Sequence, residues 1–169
     1  MSIQREIKQG KAFPAATAEA TVSLLRTADL VRRAVSAVVE RQGITLQQYN
    51  VLRILRGAGE RGLPTLEIVE RMVEQTPGIT RLIDRLETKK LVVRERCKTD
   101  RRQVFCRITP GGLELLARID QPLRDAEDLA LSPLTPRQLA QLNNLLELVR
   151  NGLHAAIASA REELTQEAS

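Results

Sequence analysis

The amino-acid sequence predicts a mainly α-helical fold with one small β-hairpin. Three features predict it. Apolar residues recur at intervals of three and four along most of the 169 residues. Threonines stand at one helix start after another, where their side chains can cap free backbone N–H groups. A single stretch, 91–108, changes to runs rich in β-branched residues.

The elements follow in order. From Ala15 to Gln42, Val22, Leu25, Val31, Val35, Val38 and Val39 form a helical stripe that Gly43 is placed to close. The segment TLQQ, residues 45–48, reads as a capping box, with Thr45 and Gln48 satisfying each other's backbone N–H. The helix it opens carries Leu46, Tyr49, Val51, Leu52, Ile54 and Leu55. Thr65, after Pro64, starts a short helix over 65–73 with Leu66, Ile68, Val69 and Met72 on its apolar side. A tight turn at 74–75 then leads to Thr76-Pro77, read as the N-cap and first helical residue of a helix over 76–89. Its inner face is Ile79, Leu82, Ile83 and Leu86. LVVRERC (91–97) and QVFCRI (103–108) read as antiparallel strands joined by the charged tip KTDRR. Thr109-Pro110 opens the next helix, with Leu113, Leu116, Ile119 and Leu123. Thr135-Pro136 with Gln138, a second capping box, opens a last long helix carrying Leu139, Leu142, Leu145, Leu146, Val149, Leu153 and Ile157. No internal repeat or low-complexity linker interrupts this order, so one domain over 1–169 is expected.

Charge is distributed unevenly along the chain. The formal net charge is +5. Between Arg81 and Arg107, however, ten Lys/Arg face four acids, a net +6, while the other 142 residues hold sixteen basic and seventeen acidic residues. An excess concentrated in 27 residues is the footprint of a site for a polyanion. The apolar runs are too short to span a bilayer, and MSIQREIKQGKAF lacks the apolar centre of a secretory leader. A cytoplasmic protein with reduced cysteines and no membrane partner is therefore expected. Three aromatic residues (Phe13, Tyr49 and Phe105) are too few for a platform that stacks single-stranded bases.

One motif points elsewhere. GAGERG, residues 57–62, matches the G-x-G-x-x-G string of dinucleotide-binding loops, which would make Gly57, Gly59 and Gly62 the cradle of a nucleotide cofactor in an enzyme. Such a loop must leave a buried strand and enter a helix. Here the preceding YNVLRILR carries its apolar residues at 51, 52, 54 and 55, a helical stripe, so the glycines are read as a loop connecting helices. No cofactor is expected. His154 stands alone without cysteines or carboxylates at ligand spacing, so no metal is expected. Nor is a nucleophile seen in a catalytic setting, so no catalytic residue is assigned.

What remains is a short helix, a turn, a second helix and a hairpin with a basic tip. A helix-turn-helix offers the N-terminal part of its second helix to the DNA major groove. With Ile79, Leu82, Ile83 and Leu86 turned inward, Thr76, Pro77, Gly78, Thr80, Arg81, Asp84 and Arg85 point elsewhere. Thr and Arg can hydrogen-bond base edges. Lys98, Arg101 and Arg102 of the tip can reach phosphates or a narrow minor groove. Asp84 is read as the partner of Arg81 or Arg85, or as a neighbour of a wing arginine.

The run TPGITRLIDRLETKKLVVRERCKTDRRQVFCRITPGG resembles the winged helix-turn-helix of MarR-type transcription factors, with helix, D-R-R wing signature and T-P-x-G helix start at that family's spacing. The resemblance extends over about residues 17–160. It implies a winged helix-turn-helix lobe over 45–108 and dimerisation helices over 15–42 and 110–165. Thr76 to Arg85 would read bases, and Arg102 would enter the minor groove with its guanidinium held by Asp100. A homodimer would bind double-stranded DNA at a palindromic operator, most simply as a repressor released by a small aromatic or phenolic effector. A constitutive or architectural DNA-binding protein without effector is the alternative. The residues agree with a dimer, because the first and last helices carry more apolar surface than the lobe needs, and a symmetric partner covers such stripes.

Cys97 and Cys106 allow two readings. With the hairpin turning between Arg101 and Arg102 they would lie opposite each other, open to a disulfide or a redox role. As small apolar side chains alternating with Val104 and Ile108, they would instead pack in the core, which is the reading preferred here.

Overall fold

The computed structural model describes residues 2–74, 78–96 and 104–167, with side chains described up to residue 160. The chain divides into two units, Met1–Glu127 and Asp128–Ser169.

In the first unit, α1 (Ile3–Glu6) precedes the long α2 (Ala16–Glu40), to which Glu6 is tied by an ion pair with Arg26 at 2.7 Å. Sequence periodicity gives no sign of α1. Next comes α3 (Leu46–Ala58), which starts where expected. The N–H of Gln48 donates to Thr45 Oγ1 at 3.3 Å, and the N–H of Thr45 donates to Gln48 Oε1 at 3.0 Å. α3 is the centre of the unit, with Val51, Leu52 and Leu55 fully buried.

The glycine motif lies at the end of α3 and in a 3-10 turn, Gly59–Arg61, that leads to β1 (Leu63–Pro64). β1 pairs antiparallel with β3, Leu63 opposite Cys106 and Pro64 opposite Phe105. This is a strand that sequence reasoning missed. Two residues show no period, and Pro64, which has no N–H to give, is tolerated because β1 is an edge strand. Gly62 turns the chain into it at φ +65°, where a Cβ would stand 2.5 Å from the Cys106 carbonyl oxygen. A helix precedes the motif and an antiparallel edge strand follows it. Neither is the setting of a dinucleotide loop.

After β1, α4 spans Thr65–Arg71 and α5 spans Ile79–Thr88. The expected opening of this second helix, Thr76-Pro77, lies outside the described residues, and the described helix begins at Ile79. Its N-cap is Gly78 at φ +84°, a left-handed conformation that cannot belong to a helical turn. α4 ends at Arg71, before the expected end at 73, and residues 75–77 of the stretch between the two helices lie outside the described residues. β2 (Val92–Arg96) and β3 (Val104–Ile108) complete a three-stranded antiparallel sheet in the order β1-β3-β2.

α6 (Pro110–Leu131) starts at the expected Thr109-Pro110, with the Gly112 N–H donating to Thr109 Oγ1 at 3.1 Å. Leu115, Leu116, Ile119 and Leu123 of α6 join Val39, Ile44, Ile68, Ile83, Leu86 and Val92 in the buried core. Leu113, expected inward, is 43% exposed, and Leu115 takes its place. Arg56 clasps Asp120 with two bonds at 3.0 and 2.8 Å, which ties α3 to α6 at the surface.

The second unit holds the end of α6 and α7 (Pro136–Glu167). α7 opens with the expected second capping box: the Gln138 N–H donates to Thr135 Oγ1 at 3.3 Å and the Thr135 N–H to Gln138 Oε1 at 2.9 Å. Its apolar stripe is bare, with Leu145, Leu148, Val149, Leu153 and Ile157 between 46% and 68% exposed. Among the described residues, no helix is long and apolar enough to cross a membrane.

Candidate nucleic-acid interface

α5 owes its position to three side chains. Leu82, Ile83 and Leu86 are buried, with Ile79 packed against the same core. Fixing that face leaves the opposite one to solvent. There the structure places Gly78, Thr80, Arg81 and Arg85, all exposed as expected, with Asp84 among them. Two guanidinium groups and a hydroxyl thus share one helix face in its first two turns, as major-groove reading requires. At the far end of α5, Lys89 Nζ donates to the Gly43 carbonyl and joins the helix to the turn after α2. Of the other predicted contact residues, Thr76, Pro77, Lys98, Asp100, Arg101 and Arg102 lie outside the described residues.

The strands of the wing run beside α5. Their register sets Val92 opposite Ile108, Arg94 opposite Cys106 and Arg96 opposite Val104. Cys106 therefore does not face Cys97, as a turn between Arg101 and Arg102 would require. Its cross-strand neighbours are Arg94 and, on β1, Leu63. The Cys106 thiol is fully buried, 4.0 Å from Thr65 Oγ1. Burial pushes its pKa up, against the lowering effects of Thr65 and Arg94. A thiol held protonated and covered is a packing group, not a nucleophile. Cys97 lies outside the described residues.

Asp84 finds its partner in the wing. Arg94, on β2, donates from Nη2 to Asp84 Oδ1 and to the Thr80 carbonyl at 3.1 Å, and its Nη1 lies 3.5 Å from Glu87 Oε2. Of the sequence-based alternatives for Asp84, the wing arginine is the one realised. Arg94 is one of the ten basic residues between Arg81 and Arg107, and nothing in the sequence sets it apart from the others. Its role depends on strand register, which the sequence does not display. On the other face of the hairpin, Arg107 pairs with Glu95 at 2.9 Å.

A helix-turn-helix whose second helix is flanked by an antiparallel hairpin defines the winged helix-turn-helix class. The comparisons with known proteins agree. The profile of the MarR family matches residues 42–103. A MarR transcription factor from Planctomyces limnophilus is 37% identical, with 81% of this chain and 99% of that one aligned and a TM-score of 0.63. Sco3205, a MarR family transcriptional regulator from Streptomyces coelicolor solved in complex with DNA, is 26% identical over 86% of this chain and 92% of its own, with a TM-score of 0.74. The homoprotocatechuate degradative operon repressor of Escherichia coli is 26% identical over 127 residues, 75% of this chain and 84% of that protein. The chain belongs to the MarR family of transcription regulators, and not to a class of enzymes.

Proposed function

We propose that this regulator binds double-stranded operator DNA as a homodimer, and represses transcription until a small phenolic or other aromatic effector releases it. The observation that carries the DNA reading is the exposed face of α5, where Gly78, Thr80, Arg81 and Arg85 stand clear of the core beside the wing. The DNA in the complex of Sco3205 and the repressor role named for the Escherichia coli relative support it. In this reading Thr76, Pro77, Gly78, Thr80, Arg81 and Arg85 meet base edges and adjoining phosphates, while Lys98, Arg101 and Arg102 of the wing tip reach the neighbouring groove. Asp100 orients Arg102.

The dimer rests on bare apolar surface. Leu24, Leu25, Leu30 and Val31 of α2 are 41–66% exposed, and α7 carries the five exposed residues already named. Stripes of this length on helices of 25 and 32 residues are covered most simply by a second copy. Two-fold symmetry then makes the operator palindromic, with half-sites about one helical turn apart. Helices 15–42 and 110–165 serve as the dimerisation region and 45–108 as the DNA-binding lobe, in the cytoplasm where the DNA lies. An effector that prefers one spacing of the two lobes biases DNA affinity by that preference.

Selection of sites from random duplex DNA by the purified protein tests the reading. An enriched palindrome is the expected outcome, with phenolic acids lowering its affinity. A steep salt dependence without any enriched sequence would mean phosphate holding alone.

A further inference from the structure

We propose that Arg94 is a positioning residue for DNA recognition. It locks the wing onto the recognition helix and withdraws Asp84 from the field seen by the phosphates, so that wing and helix engage a half-site as one rigid reader. The proposal rests on the operator-binding reading above and adds what sets its specificity.

Asp84 stands on the exposed face of α5 between Arg81 and Arg85, its side chain 52% exposed. A free carboxylate there would face the DNA backbone and repel it. Instead it accepts a hydrogen bond from Arg94, whose side chain is only 25% exposed. The same guanidinium holds the Thr80 carbonyl and lies beside Glu87, while the backbone N–H of Arg94 donates to Glu87 Oε1 at 3.3 Å.

The spacing of these acceptors matters more than their number. Residues 80, 84 and 87 follow one ridge of a helix, and seven residues at 1.5 Å rise span about 10 Å. A contact at one point would let a hairpin pivot on α5. A guanidinium and an N–H anchored over two turns fix the angle between strand and helix. The planar fork of arginine suits this bridging, and the point charge of a lysine does not. Two carboxylates and a carbonyl also occupy the donors that a phosphate would need.

The rival role for Arg94 is a phosphate contact that Asp84 merely holds in reserve, and the two roles predict opposite signs for Asp84→Asn. Affinity would be measured for the selected duplex and for a scrambled one at two salt concentrations, with melting temperatures confirming the folded state. As a clamp lost, Asp84→Asn weakens the selected duplex about threefold to fivefold, in line with a partly exposed ion pair. It leaves the scrambled duplex unchanged or slightly tighter, so the specificity ratio falls. Arg94→Lys then behaves like Arg94→Gln. Tighter binding of both duplexes by Asp84→Asn, an unchanged specificity ratio, or Arg94→Lys matching the parent protein would each overturn the proposal. Failure of the parent protein to select any sequence would instead overturn the operator-binding reading, and is seen before any variant is made.

Discussion

α3 and α7 begin with the same device and end in opposite surroundings. Each opens on a threonine whose Oγ1 caps the N–H three residues on, with a glutamine returning the bond. Beyond that turn, α3 buries seven of its thirteen residues. α7 buries none of those described, although its leucines keep the same helical period. A periodic stripe therefore says which face wants covering, and nothing about whether the cover lies in the same chain. For α3 the cover is the core of its own unit. For α7 it is, in the proposed dimer, a second copy.

The largest expected effect breaks the α7 side of this contrast. Leu148→Asp with Leu153→Asp places two charges on the bare stripe. On the homodimer reading, sedimentation should show monomers, and operator affinity should fall at least about a hundredfold, because the second half-site is no longer held near. Melting of the first unit should be little changed. A variant that stays dimeric would place the dimer surface elsewhere.

On the α3 side the effect is thermodynamic. Leu52 is fully buried, and Leu52→Ala should lower stability by about 2–5 kcal/mol. Denaturant unfolding would measure it, with the loss independent of any change in oligomeric state.

Helix starts with a side-chain cap were legible because their chemistry is local. Thr45 with Gln48, Thr109 before Pro110 and Thr135 with Gln138 all cap in the structure as read. Features set by a distant segment were not. β1 exists because β3 lies beside it, and Leu63-Pro64 by itself carries no signal. The N-cap that α5 shows, Gly78 in a left-handed conformation, carries no such local signal, and the sequence points instead to Thr76-Pro77, outside the described residues. The pairing of Cys106 with Arg94 needed the register, which depends on how the tip folds. The face of α5 was read well, since one helix period decides what points inward. How Asp84 is neutralised was not, because Arg94 comes from another element.

Gly62 offers a smaller test of that distant contact. Gly62→Ala must place a Cβ against the Cys106 carbonyl while holding φ near +65°. The two demands together should cost about 1–3 kcal/mol in denaturant unfolding. An unchanged midpoint would mean that β1 can leave β3 without loss.

The smallest effect sharpens the contrast most, because it compares the two caps directly. Their bond lengths match within 0.1 Å, so geometry predicts equal losses for Thr45→Ala and Thr135→Ala, each about 1 kcal/mol. Burial predicts otherwise. Gln48 is 4% exposed and sits at the edge of the core, whereas Gln138 is exposed. Removing Thr45 leaves the Gln48 N–H without its acceptor where water has little access, and the loss should approach the full value. Removing Thr135 lets water take over, so only a few tenths of a kcal/mol should be lost. Equal losses in the two variants would show that the start of α7 is as well covered as that of α3, which in the proposed dimer requires the second copy to reach the first turn of α7.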